Sequence, residues 1–226
     1  MPRLAYLLFR NEAVSGPDFV AHYKAVHSPL SVRAMPRQTY YAANVGVSDH
    51  PGESLLGRSP VAALAFVGFD DLGVLADPAQ LYASPDLGER LNADGSYLFS
   101  GMDGYVVDLA ARWGVNRTWP LGQSSPGVQR IMLAGRRPDL AATEFRILCE
   151  ELVASDSPGP TLGRALSIVT GTVNPDAPTL DAIIELRYST IDECADQTLA
   201  FDTALAEFVD PATTRTLVAH ETIWID

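Results

Sequence analysis

Apolar and polar positions along this chain follow two periods, and each change of period marks an element. Leu4 to Arg10 opens with a short, nearly continuous apolar run, as a buried strand requires. Ser15-Gly-Pro17-Asp18 then combines turn residues with helix-start residues, and from Phe19 the period becomes helical. Phe19, Tyr23, Val26, His27 and Leu30 stand at i, i+4, i+7, i+8 and i+11, so one otherwise apolar stripe carries a phenol and an imidazole. Pro29 biases Ser28 away from the α region, which predicts that the helix stops there with His27 in its last turn. His22 is predicted to lie on the surface, because five residues of α-helix set it about 140° around the cylinder from His27.

Thr39 to Val47 reads as a second strand and Val61 to Phe69 as a third, apolar on both faces. A helical region from Leu72 to Leu91, interrupted at Pro78 and Pro85, leads to a turn at Asp94-Gly95 and a strand from Met102 to Leu109. After a Gly-, Pro- and Ser-rich connector the order returns: strand Arg130–Arg136, helix Thr143–Ala154, strands Leu162–Val173 and Leu180–Tyr188, helix Asp192–Phe208, strand Thr216–Ile225. Arg10 with Arg136, Phe19 with Phe145 and Val47 with Val173 all stand 126 residues apart, which marks an internal duplication. The pattern predicts an α+β chain of two tandem ferredoxin-like repeats, residues 1–112 and 128–226, joined by a linker at 113–127. Crossover helices cover one face of each sheet, so the two uncovered faces are expected to pack face to face as a pseudo-dimeric barrel.

Composition removes several functions. The chain has 226 residues, 47% of them apolar, and a formal charge of −12, which disfavours nucleic acid and anionic membrane as partners. The first apolar run is too short for a secretory h-region or a membrane span, so a cytoplasmic location is expected. Cys149 and Cys194 lack metal-ligand spacing and read as reduced core thiols. Gly52-Glu-Ser-Leu-Leu-Gly57-Arg58-Ser59 imitates a phosphate loop, but Pro60 and a strand follow where a helix is needed. No metal-ligand cluster or nucleotide fingerprint is present, which points to chemistry without a cofactor or metal.

The duplication offers an internal comparison. A residue type kept in both halves serves the fold, and a polar residue found in one half is a candidate for chemistry. By the constant offset, Tyr23 matches Cys149, His27 matches Val153, Tyr41 matches Ser167 and Tyr40 matches Leu166, which concentrates polar capacity in the first half. The pattern of Phe19, Tyr23, His27, Pro29 and Leu30, continued in Tyr41-Ala-Ala-Asn44, resembles the EthD-like branch of the dimeric α+β barrel superfamily. The resemblance covers roughly Leu4 to Leu109, and the second half in outline. At Ala93-Asp94-Gly95 the chain departs from the family, which tends to carry a further acidic residue, and Asp94 reads as a turn residue. The superfamily includes cofactor-free isomerases, dehydratases, decarboxylases, cyclases and monooxygenases, with some haem-binding relatives.

The resulting expectation is a cofactor-independent lyase or isomerase acting on a small apolar substrate, aromatic or polyketide-like, held inside the barrel. His27 is the expected general base, since an imidazole near its ordinary pKa suits proton abstraction at neutral pH. Tyr23 and Tyr41 are the expected hydrogen-bond donors to a developing anion. Tyr40 and Tyr41 are adjacent on a strand, so only one faces the barrel, and the resemblance favours Tyr41. Asn44, His50 in the following loop, Tyr40 and Trp113 complete the predicted substrate-binding set. The alternatives are a cofactor-free monooxygenase and a non-catalytic binding barrel. With both barrel walls in one chain, the expected assembly is a monomer, or a homodimer formed through outer surfaces.

Overall fold

A computed structural model of the chain describes residues 3–47, 56–114, 119–155 and 161–226. Its elements are β1 (Arg3–Arg10), α1 (Gly16–His22), a π-turn (Tyr23–His27), α2 (Ser28–Ala34), β2 (Gln38–Gly46), β3 (Gly57–Arg58), β4 (Ala63–Phe69), a 3-10 turn (Leu72–Ala76), α3 (Pro78–Leu81), α4 (Pro85–Leu98) and β5 (Phe99–Gly114). The second half contributes β6 (Val128–Ala134), α5 (Ala142–Ala154), β7 (Gly163–Thr172), β8 (Ala182–Tyr188), α6 (Ile191–Ala206) and β9 (Arg215–Ile225).

The strands run β2-β4-β1-β5-β7-β8-β6-β9, and β9 pairs again with β2, closing an antiparallel barrel of eight strands with the short β3 appended to β9. Each repeat forms one four-stranded wall, and the walls join edge to edge through β5–β7 and β2–β9. Closure leaves neither repeat with an exposed edge at these joins. Apolar burial follows in three layers. Ala5, Leu7, Leu64, Phe66, Val107, Ile131, Ile183 and Leu217 fill the barrel. Leu4, Phe19, Tyr23, Tyr41 and Val67 pack between the first wall and its helices. Phe145, Cys149, Leu166, Ile184 and Phe201 do the same in the second half. Two-sided burial explains why β4 is buried along its whole length.

Three expectations change. First, the opening helix does not stop at Pro29: it runs on through α2 to Ala34. The π-turn makes this possible. The Ser28 amide bonds the Tyr23 carbonyl five residues back, and Pro29, which has no N–H to offer, falls in the first turn of the segment that follows.

Second, β5 extends beyond Leu109 to Gly114, because residues that read as connector pair with β7, Trp113 against Arg164.

Third, the 126-residue offset does not hold throughout. Leu7 pairs with Leu64 as Leu133 pairs with Ile183, and Asn44 pairs with Leu64 as Ser167 pairs with Ile183. Asn44 therefore corresponds to Ser167, 123 residues on, and Tyr41 and Tyr40 to Arg164 and Gly163. Val47 and Val173 are not counterparts. The π-turn and α2 give the first half three more residues between its opening helix and its second strand.

The duplication is otherwise visible in detail. The Arg10 guanidinium donates to the Val14 carbonyl, and Arg136 donates to the Leu140 carbonyl, the same four-residue reach in each half. Both arginines close the loop between first strand and first helix. Arg130 is the largest fully buried side chain and pairs with the fully buried Asp202, fastening α6 to β6. Cys149 and Cys194 are free and buried, and burial pushes their thiols up to about 12 and 11, so both are inert at neutral pH.

Candidate functional site

The helical rod α1–π-turn–α2 lies across the outer face of the first wall, beside α4. Ser15 caps its start by accepting from the Asp18 amide, and Phe19 and Tyr23 anchor it to the sheet. The π-turn decides what the rod presents. An i-to-i+5 hydrogen bond stacks residues five apart on one side, which α-helical spacing would have separated. His22 and His27 consequently converge on one carboxylate. His22 Nε2 lies 2.6 Å from Asp94 Oδ1, and His27 Nδ1 lies 2.8 Å from Asp94 Oδ2. Asp94 is not a turn residue: it stands within α4, which continues to Leu98 and carries its carboxylate across to the rod.

An ionised carboxylate only accepts, so His27 donates from Nδ1 and keeps an unprotonated Nε2. Among the described residues no group bonds that nitrogen. His27 and Asp94 side chains are each 12% exposed and His22 is 29% exposed, which places His27 at the inner end of the cluster. The His27 ring packs between the Tyr23 ring and the edge of Phe99, both with centroids 5.1 Å away, and His22 packs on the exposed Tyr97. Burial lowers the His27 pKa below its ordinary value, partly opposed by the hydrogen bond and charge of Asp94, while the His22 charge adds to the lowering. The ring is therefore neutral at neutral pH. A neutral imidazole with its tautomer fixed by a carboxylate can accept a proton at Nε2.

The other predicted residues divide between two places. Tyr23 and Tyr41 are both buried in the helix–sheet layer, where their hydroxyls lie 3.3 Å apart and Ser28 Oγ is 3.2 Å from Tyr41. Burial raises both phenols above their ordinary pKa. They form the packed floor under His27, with their hydroxyls occupied by one another. Tyr41 thus does not face the barrel, and Tyr40 does. Both faces of β2 are buried, so strand alternation fixed their opposition but not their direction. Asn44 shares the barrel face with Tyr40 and is fully buried there, and Trp113 lines the barrel mouth.

His27 lies outside the barrel, behind the wall that Tyr40 and Asn44 face, and the predicted set does not form one site. His50 lies outside the described residues. A larger cleft of about 1010 Å³ runs along the other flank of α1, past Val20, Lys24, Val47 and Val61, and none of His22, His27 and Asp94 lines it. The residues that sequence reasoning missed are Asp94 and His22, and the spacing of the two histidines carries their signal only once the π-turn is known.

Among the described residues no group of His, Cys, Asp and Glu is arranged to hold a metal ion, and no helix is long and apolar enough to cross a membrane. No known family's sequence profile matches the chain, and no curated protein matches it in sequence. Solved structures do match in fold. An anthrone oxidase-like protein superposes with a TM-score of 0.62 at 8% identity, over 100% of this chain and 93% of its own. A candidate monooxygenase of Fusobacterium nucleatum gives 0.55 at 11% identity over 99% and 92%, and one of Lactobacillus acidophilus gives 0.53 at 9% identity over 99% and 96%. At these identities the likeness is one of fold alone.

Proposed function

We propose that the chain is an enzyme that uses His27, held by Asp94, as a general base on a small, largely apolar, aromatic or polyketide-like substrate without a cofactor. The observation that carries this reading is the 2.8 Å bond from His27 Nδ1 to Asp94, which fixes the tautomer and aims a free Nε2. Nε2 takes a proton from a C–H or O–H next to a carbonyl or aromatic ring, and the electron pair spreads into that system as an enolate or phenolate. Phe99 and the exposed Tyr97 supply aromatic surface beside the ring pair. Tyr23 and Tyr41 act here as support beneath His27, since their hydroxyls are engaged with each other.

Two fates of the anion differ in what is consumed. The fold shared with an anthrone oxidase-like protein and with candidate monooxygenases supports oxygenation. In that reaction the anion passes electrons to O2, one oxygen atom becomes the new carbonyl, and the other leaves as water with the two substrate hydrogens. A lyase or isomerase is the second reading, and one specific feature favours it. His22 bonds the same carboxylate as His27, so a proton taken at one ring has a second imidazole from which to be returned.

The test is to incubate the protein with anthrone and related enolisable aromatics while recording dissolved oxygen and products. Oxygenation consumes one O2 per product, and a lyase consumes none. His27→Ala should lose about 100- to 10,000-fold in turnover while keeping its unfolding midpoint within a few degrees. A well-folded His27→Ala protein with near-wild-type turnover would sink the proposal.

A further inference from the structure

The barrel that does not contain His27 has a polar mouth of its own. At the end where β1, β2, β6 and β7 begin, a cavity of about 40 Å³ is lined by Arg3, Arg112, Arg187, Glu185, Glu221 and Gln129, among others. That volume holds roughly three water positions, or the head of a planar anion whose remainder projects through the open side.

The polar groups there are incompletely matched. Arg187 pairs with the buried Glu221, yet its Nη1 is buried without a partner, as is the Oε1 of Gln129, a side chain only 4% exposed. Deeper in the barrel, beside Glu221 in the β2–β9 register, both side-chain atoms of the fully buried Asn44 also lack partners. Among the described residues Arg3 and Arg112 make no hydrogen bond or ion pair. The Arg3 guanidinium carbon sits over the Tyr40 ring, 4.0 Å from its centroid, and that of Arg187 sits over Trp119 at 4.4 Å. A ring beneath the guanidinium helps to hold it in place, and its N–H fork matches a carboxylate.

The fold does not demand these charges. In the pairing registers Glu185 corresponds to Phe66, Arg187 to Gly68 and Glu221 to Leu109, so at each matched position the first half has no charge. Holding the Arg187–Glu221 pair largely buried, with Glu185 beside it, where the first wall manages without charge costs stability, and the unpartnered buried Nη1 of Arg187 adds to that cost. Groups kept under those conditions and converging on a cavity are arranged for something outside the chain.

We propose that this barrel mouth is a binding site for the carboxylate group of a small organic acid, held by Arg3 and Arg112 with the free Nη1 of Arg187. The site is distinct from the Asp94–His27 pair and does not depend on it. Glu185 gives the site its pH response. Burial, reinforced by the Glu221 charge, pushes its carboxyl up to about 7, against the pull of Arg187, Arg112 and Arg3. Tyr40 and Arg164 also line the cavity: burial pushes the Tyr40 phenol far above the neutral range, and Arg164 donates to Thr161 and to the Val153 and Ser155 carbonyls. An incoming carboxylate is therefore received best when Glu185 is protonated, and its affinity weakens as pH rises through 7.

Titration calorimetry on the full chain tests this, with formate, acetate and benzoate as probes and sulfate and chloride as controls, at pH 6 and pH 8 and constant ionic strength. The expected result is saturable carboxylate binding that is tighter at pH 6. It should be weakened roughly tenfold or more in Arg112→Ala and in Arg3→Gln, and be unchanged in His27→Ala. In Glu185→Gln the pH dependence should vanish while the protein stays folded. Binding of formate and acetate identifies free small acids as ligands, whereas binding of benzoate alone identifies the carboxylate end of a larger molecule. Absence of saturable binding up to tens of millimolar, an equal response to sulfate or chloride, or binding indifferent to both arginine variants would overturn the proposal.

Discussion

At the residue scale, burial sets two ionisable side chains to opposite protonation states. For His27, desolvation disfavours the imidazolium, and the folded pKa falls below that of the unfolded chain. As a base the ring is competent when neutral, so kcat/KM should rise with pH through an apparent pKa below the ordinary histidine value of about 6.5 and stay flat above it. Asp94→Asn removes the charge that holds this pKa up, so it should move the acid limb to still lower pH and cost about 10- to 100-fold in rate through a less well-fixed tautomer. A limb that moves upward would refute the assignment. The linked stability runs in the same sense: the His27 contribution is complete above the unfolded pKa and is lost as pH falls through the lower folded one. Glu185 runs the other way. Its folded pKa of about 7 lies above the unfolded value of 4.5, so its contribution is complete below 4.5 and is lost as pH rises through 7. Glu185→Gln should thus stabilise the protein at pH 8 by on the order of 2 kcal/mol and leave it unaltered at pH 4, read from paired denaturant curves.

Elements place these groups, and the opening rod does so by an irregularity. A regular α-helix from Gly16 to Ala34 would carry His22 and His27 to different faces, and only one could meet Asp94. The π-turn aligns them and at the same time seats Pro29 where its missing amide is harmless. The second half holds its helices by other means. There α6 is fastened to β6 by the Arg130–Asp202 pair, and neither side chain is exposed. Arg130→Met should destabilise the fold by about 3–5 kcal/mol, because the Asp202 carboxylate stays buried without its guanidinium. Pairing it with Asp202→Leu should recover most of that loss, and additive losses in the double variant would show that the pair is not the unit that matters.

For the whole molecule, closure is what makes two repeats one body. Each wall has an apolar inner face that needs the other, and hydrogen bonding along β5–β7 and β2–β9 aligns them. Both walls belong to one chain, so the barrel should survive dilution to a 24.3 kDa monomer, with near-UV circular dichroism unchanged across the concentration range and mass followed by light scattering. Fragments 1–114 and 119–226 should each expose an apolar face and bind a hydrophobic dye when alone, and should lose that dye on mixing. Dye binding that persists in the mixture would show that closure needs the covalent link.

The sequence by itself determined the order of elements, the duplication and the barrel, because period, turn residues and repeated landmarks such as Arg10 with Arg136 are local signals that burial imposes on every strand and helix. It also put His27 forward as a candidate, since an imidazole on an apolar stripe is visible without coordinates. Tertiary structure decided the rest. The π-turn leaves no mark in a hydrophobic pattern, so the helix looked finished at Pro29 and the match between halves looked uniform at 126 residues until strand pairing reduced it to 123 at β2 and β7. Tyr40 and Tyr41 had to point opposite ways, but a sheet buried on both faces gives alternation no preferred direction. Asp94 reaches His27 across 67 residues of chain, and Glu185 meets Arg3 only when the barrel closes. Such meetings depend on how the elements pack, and no window along the chain contains them.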